Sequence, residues 1–287
     1  MGFQAHLICI GLVAADMVAR AWRIAWLTRG VGAPLSFRDA FVVNAVGDAA
    51  SGLTPLRLGG EPARMAGMLA ARVPAPAALA AIGVEVLAAW PVIIATMIPL
   101  IWFLAPGWWR SAAPAVASDA AEAWPWVVGI VVVTLATWFV ARRYLHPVRQ
   151  VEEPVRQALR HARGMPLGTL LATVPFTLTN LLCRTGVLVV LALTLPDPPP
   201  LGTLFVGSFA LLYAQLVLPT PSGAGVVDFT FLAGAAGELG GKAAALLLAW
   251  RFYTSGVGIV LGVLLAVMRL GGVRKMIHRG GTEGAEA

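Results

Sequence analysis

Ionisable residues of this chain stand inside long apolar runs, where an unpartnered charge costs ~2.5–3.5 kcal/mol on insertion scales, so each calls for a partner, a water path or a function. Asn44, Asp48, Arg57, Glu61 and Arg64 form a first group. Asn44 and Asp48 are four apart and share a helix face, while Glu61 and Arg64 are three apart and within reach across one turn. Glu61 opens an apolar segment, where a carboxylate suits the positive end of a helix dipole. Two readings stand open: Glu61 caps its helix while Arg64 snorkels, or an arginine at a helix start binds a phosphate. Asp16–Arg20 and Asn180–Arg184 form a second group, each pair four apart. Asp16 and Arg20 can neutralise each other, whereas Arg184 has no local acid and is a candidate for a substrate anion or a pair with Asp228. Glu85 and Arg251 are the third group. A bridge between them would act as a gate, or as an ordinary structural ion pair.

A second kind of signal is the run Pro219–Thr220–Pro221–Ser222–Gly223–Ala224–Gly225, followed by Asp228. Backbone amides in such a run can cradle a phosphate. Enzymatic constellations are missing from the sequence. There is no His-Glu-x-x-His and no Walker loop. Ser222 has no base nearby in sequence, and His146, His161 and His278 lie in polar segments. Cys9 and Cys183 sit in separate apolar stretches and read as packed thiols. The expectation is a protein that is not an enzyme and carries no metal or cofactor.

These residues are set in an apolar chain. Of 287 residues 59% are hydrophobic and 12% charged, half the share of a soluble domain, and mean hydropathy is +0.80. A net charge of +7 would suit nucleic acid, but the basic residues cluster in short segments between apolar runs, as in loops facing anionic lipid. Five segments are long enough to span: 3–27, 77–104, 124–141, 168–195 and 243–268. No basic leader precedes the first, which reads as a span rather than a signal peptide. Trp102, Trp108, Trp109, Trp124 and Trp126 mark an interfacial belt. Two further apolar stretches, 36–72 and 201–240, are broken, the first at Thr54–Pro55 through Gly59–Gly60–Glu61–Pro62, the second at Pro219–Gly225. Proline and glycine end helices, so each reads as a re-entrant hairpin of two half-helices or as a loop-separated pair of surface helices. Paired interruptions of this kind point to a transporter site.

Charge placement orients the chain. Arg20, Arg23, Arg29 and Arg38, the basic residues of 142–163, and Arg269, Arg274, Lys275 and Arg279 can all face the cytoplasm with the N-terminus outside and the C-terminus inside. The result is an all-α polytopic membrane protein with an inverted-topology repeat, about five full spans and two re-entrant hairpins. Residues 1–104 form the first repeat, 105–166 an inverting span and a basic amphipathic cytoplasmic segment, 167–270 the second repeat and 271–287 a tail. The pairs Asp16/Asn180, Arg20/Arg184, Pro34/Pro198, Pro55/Pro219 and Gly59/Gly223 share an offset of 164. Pro147–Met165 reads as an amphipathic helix at the inner surface or a plain cytoplasmic one.

The segment Thr54–Pro55–Leu56–Arg57–Leu58–Gly59–Gly60–Glu61–Pro62–Ala63–Arg64 resembles the Thr-Pro…Gly-Gly-Glu-Pro-x-Arg motif of the transmembrane, flippase-like region of lysyl-phosphatidylglycerol synthases. Pro219–Asp228 resembles that family's Pro-x-Pro-Gly-Gly-x-Gly-x-x-Glu segment, with Ser222 for glycine and Asp228 for glutamate. Trp250–Arg251–Phe252–Tyr253 resembles its late Trp-Arg element. The resemblance implies a prokaryotic plasma-membrane flippase for a phospholipid or polyprenyl-linked lipid. The chain stops just after the last span, so translocation is expected rather than lipid aminoacylation. Arg57, Arg64, Arg184 or Arg251 would bind phosphate, and Asn44, Asp48, Glu61, Glu85, Asn180 and Asp228 would gate or carry a coupling proton or ion. An ion-coupled small-anion carrier and a scaffold subunit for envelope-lipid enzymes are the alternatives.

Overall fold

Helices as apolar as these satisfy their own backbone donors and acceptors, as the bilayer core demands, and the computed structural model is helical with no β-strand among the described residues. These are residues 2–104, 132, 146–215, 225, 228–229, 231–232 and 241–269. The helices are α1 (Phe3–Gly30), α2 (Phe37–Leu53), α3 (Gly60–Ala70), α4 (Ala75–Leu104), α5 (His146–Arg163), α6 (Leu167–Ala192), α7 (Leu201–Ala214) and α8 (Lys242–Arg269). A π-helical turn, Phe252–Gly256, interrupts α8. By length and composition α4, α6 and α8 are apolar enough to cross a membrane. The 28-residue α1 is as long, but it carries Asp16, Arg20 and Arg23. The expected 124–141 span lies outside the described residues.

Helices α1 and α6 are the spine. Gly30 packs on Thr169, Arg23 reaches Thr177, Asp16 reaches Asn180 and Gly186 meets Leu12, so the two run antiparallel. One apolar core gathers around the C-terminal half of α1, with Ile24, Leu27, Val43, Met68, Ala78 and Ala158. A second gathers around its N-terminal half, with Cys9, Leu188, Leu191, Leu211, Leu246 and Trp250. The polar residues of α1 fall between the two cores. Outward faces of α4, α6 and α8 carry exposed Leu87, Ile94, Ile98, Leu171, Leu182, Val260 and Leu264, an apolar surface suited to lipid.

The first broken stretch folds as two helices packed side by side. Val43 meets Gly67, Gly47 meets Arg64 and Ser51 meets Gly60, so α2 and α3 form an antiparallel hairpin. Gly47 and Gly60 permit this approach, since a side chain on either would run into Arg64 or Ser51. Ser36 caps α2 by accepting from the Asp39 amide (3.1 Å). At the tip Leu56 and Arg57 adopt φ of 53° and 57°, a left-handed conformation that costs non-glycine residues about 1–3 kcal/mol each and clusters at functional sites. The Thr54 hydroxyl accepts from the Gly59 amide (2.8 Å) and closes the turn. With eleven residues α3 rises only about 16 Å, half a hydrocarbon core. Of the second broken stretch the described residues are 201–215, 225, 228–229 and 231–232; Pro219, Thr220, Pro221, Ser222 and Gly223 lie outside them.

Candidate functional site

Asp16, Arg20 and Arg23 recur at spacings of four and three on α1, which puts them on one face, and that face meets α6. Asp16 accepts from Asn180 and from Arg184 (3.2 Å), and also pairs with Arg20 (3.0 Å). Arg20 reaches Asp48 on α2 (2.7 Å), and its backbone carbonyl accepts from Asn44 (3.1 Å). Asp16 and Asn180 are the residues at the midpoints of α1 and α6. If both helices cross a bilayer, the cluster lies near its midplane.

Beside this cluster is a cavity of about 110 Å³, lined by Arg57 of the hairpin tip, Asn180 and Arg184 of α6, Tyr213 and Gln215 at the end of α7, and Thr254 and Ser255 of the π-turn. Its volume is several times the ~10–15 Å³ that one water requires. Two voids of about 10 Å³ continue it toward Asp48 and toward Asp16 and Arg20. The guanidinium of Arg57 donates to Gln215 Oε1 (3.0 Å) and has no carboxylate partner among the described residues. Gln215 is itself held by donating to the Leu211 carbonyl (2.9 Å). Three guanidiniums, Arg20, Arg57 and Arg184, thus share two carboxylates, Asp16 and Asp48. The excess positive charge stands at the cavity, where hydroxyls and amides complete a donor set suited to an oxyanion. Asp48 Oδ2 and Arg20 Nε are buried there without a hydrogen-bond partner among the described residues.

Arg64 belongs to a different cluster. Glu85, 3% exposed, accepts from Arg23 at Oε1 (2.6 and 2.9 Å) and from Arg64 at Oε2. Arg64 also pairs with Glu61 (3.1 Å), and Arg23 donates to Thr177 (3.2 Å). Two arginines meet two carboxylates, so this cluster is neutral. Arg64 does not line the cavity, and it does not snorkel: it is buried. The bridge expected between Glu85 and Arg251 is replaced by two others, because Arg251 pairs with Asp228 (2.6 Å) while Glu85 closes on Arg23 and Arg64. Likewise Arg184 finds Asp16 rather than Asp228. Asp228 also accepts from the Gly225 amide (3.0 Å), where φ is 87°.

Sequence reasoning missed Arg23, Gln215, Tyr213, Thr254 and Ser255. Charge placement assigns Arg20 and Arg23 to the cytoplasmic side, yet both are held inside the bundle. The spacing Asp16–Arg20–Arg23 was the available signal, since it stacks three charges on one face of a span.

A helical membrane protein whose spans bury paired charge around a net-positive cavity is the class these features define. A family model for the lysylphosphatidylglycerol synthase TM region matches residues 3–262, and the chain belongs to that family. No curated protein and no solved structure matches the chain.

Proposed function

We propose that the chain is a translocator of an anionic lipid, with the head-group phosphate held between Arg57 and Arg184 at mid-depth. The observation that carries this reading is the charge excess at the cavity. A positive charge left without a carboxylate inside a membrane bundle is costly and is kept where an anion completes it. The family is associated with a membrane lipid, which favours a lipid over a free anion.

Alternating access between inverted repeats is the mechanism we attach to it. Support comes from the antiparallel α1–α6 pair and from Asp16, which touches Asn180 and Arg184, the residues offset by 164 from itself and from Arg20. We read α2–α3 as a re-entrant hairpin entering from the cytoplasmic side of the plasma membrane, because α3 is too short to cross. Asp48 is the coupling group of choice. It lines the small voids that continue the cavity and keeps Oδ2 unpartnered, whereas Glu85 has both oxygens occupied by arginines. The chain itself performs no bond chemistry in this reading.

The test uses proteoliposomes containing the full chain. Fluorescent phosphatidylglycerol should cross to the far leaflet faster than in empty vesicles, and radiolabelled inorganic phosphate should not be taken up. Phosphate uptake without lipid movement would favour the small-anion carrier instead. Neither activity would leave the scaffold reading.

A further inference from the structure

Helix α8 lies along α2 in the antiparallel sense. Gly258 packs on Asp48, Gly262 on Ala45 and Ala49, and Arg269 bridges Asp39. The seam therefore runs from the central cavity to the root of the hairpin. Gly258 and Gly262 are four apart, the small-residue spacing that lets membrane helices touch. At Gly262 the contact is backbone to backbone, since a side chain there would strike the Ala45 carbonyl. Below this seal lies a groove of about 540 Å³, within the ~300–1,000 Å³ range of ligand sites.

The groove is amphipathic. Val42, Leu265 and Met268 give it an apolar wall, and Met268 faces outward with 64% of its surface exposed. Arg38 and Arg269 stand at its mouth against one carboxylate, Asp39. Asp39 is already engaged by Ser36 (2.7 Å) and by Arg269. Arg38 is exposed and has no ion pair among the described residues. We propose that this groove is a docking site for an anionic phospholipid, with the head group at Arg38 and Arg269 and the chains along Val42, Leu265 and Met268. Charge complementarity and an apolar wall continuous with the outer face of α8 identify the occupant. On the transport reading given above, on which this role rests, the docked lipid waits one helix seam away from the central cavity, behind the Gly262–Ala45 seal.

The experiment embeds the full chain in phosphatidylcholine nanodiscs with a minor fraction of photoactivatable phosphatidylglycerol. Cross-links are expected at 36–42 and 265–269. Arg38→Gln leaves the Ser36–Asp39–Arg269 contacts intact and should lower labelling about fivefold, the attraction one basic side chain exerts on anionic lipid. Arg38→Lys should retain it, and excess inorganic phosphate should not compete. Equal labelling by photoactivatable phosphatidylcholine, unchanged labelling in Arg38→Gln, or competition by phosphate would overturn the site. Arg57→Gln, remote from the groove, separates the two readings. Groove labelling without translocation by the wild type would overturn the transport function and leave the docking site standing. Translocation without groove labelling would overturn the docking site alone.

Discussion

Arg64 on the short arm of the first hairpin is fastened to Glu85 on the span that follows it, in a bridge buried from solvent. A second bridge has the charges exchanged: Asp228 is fastened to Arg251, 23 residues further on, where Arg64 and Glu85 are 21 apart. Each bridge ties a short helical segment to a long helix. The tip is thereby positioned without its own charges being consumed, and in the first hairpin this leaves Arg57 free of any carboxylate partner among the described residues.

Removing Glu85 leaves buried Arg23 without a carboxylate and buried Arg64 with only the exposed Glu61. Breaking a buried ion pair from one side costs about 3–5 kcal/mol, so Glu85→Gln should lower the thermal unfolding midpoint in detergent markedly. Glu61→Gln is the control. Its carboxylate is 52% exposed, and exposed pairs contribute about 0–1 kcal/mol. Equal midpoints for the two variants would show that Glu85 does not hold the hairpin.

The α2–α8 seam separates two glycines that look alike in sequence. Gly262→Ala forces a methyl into the Ala45 carbonyl and should cost about 1–3 kcal/mol, as overpacking does. Gly258→Ala meets Asp48 Cβ at an ordinary 3.4 Å and should leave the unfolding midpoint nearly unchanged. A reversed order of the two midpoints would mean that the seam is packed differently.

The proposed coupling role separates Asp48 from Glu85. Asp48→Asn should keep lipid movement in proteoliposomes but make its rate indifferent to a pH gradient. A rate that still follows the gradient would remove Asp48 from that role.

At the exposed root of the hairpin, the Ser36 hydroxyl and then the Arg269 guanidinium hold the Asp39 carboxyl below the usual carboxylate range. A carboxylate with a depressed folded-state pKa stabilises the fold above its unfolded pKa of about 3.9 and loses that contribution as pH falls through the folded value. The difference in unfolding midpoint between wild type and Asp39→Asn should therefore be constant from about pH 8 to about pH 5 and shrink below about pH 4. A difference that grows on acidification would contradict the direction of the shift.

Hairpin topology has a direct assay. Arg38→Cys and Ala70→Cys place thiols at the two roots of α2–α3, both exposed, while the native Cys9 and Cys183 are buried. Both engineered thiols should react with an impermeant reagent from the same side of the membrane. Reaction from opposite sides would mean that the segment crosses once between its two roots and is no hairpin.

Local sequence was informative wherever a signal lies within one helix or one turn. Pro55 and Gly59–Gly60 announce a break, and the structure has α2 end at Leu53 and α3 begin at Gly60. Asp16, Arg20 and Arg184 are recognisable as charges, and Asn180 as a polar group, that a span does not tolerate alone. Their partners were not recognisable, because pairing depends on which helices meet. Sequence offers Arg251 as a bridge partner for Glu85, whereas packing of α1 against α4 delivers Arg23 to it. Gln215, Thr254 and Ser255 carry no charge and no spacing signal, and they acquire meaning only when the end of α7 and the π-turn of α8 close on Arg57 and Arg184. The second tip, from Pro219 to Gly223, is outside the described residues.

The most direct measurement is the rate at which fluorescent phosphatidylglycerol crosses proteoliposomes containing wild type, Arg57→Gln or Arg57→Lys, with unfolding midpoints measured on the same preparations. Wild type should exceed empty vesicles, Arg57→Gln should fall at least about tenfold, the loss of a charge-assisted contact of about 1.5–3 kcal/mol, and Arg57→Lys should recover part of the rate. Arg57→Gln moving the lipid as fast as wild type, at an equal midpoint, would contradict a phosphate site at Arg57 and Arg184.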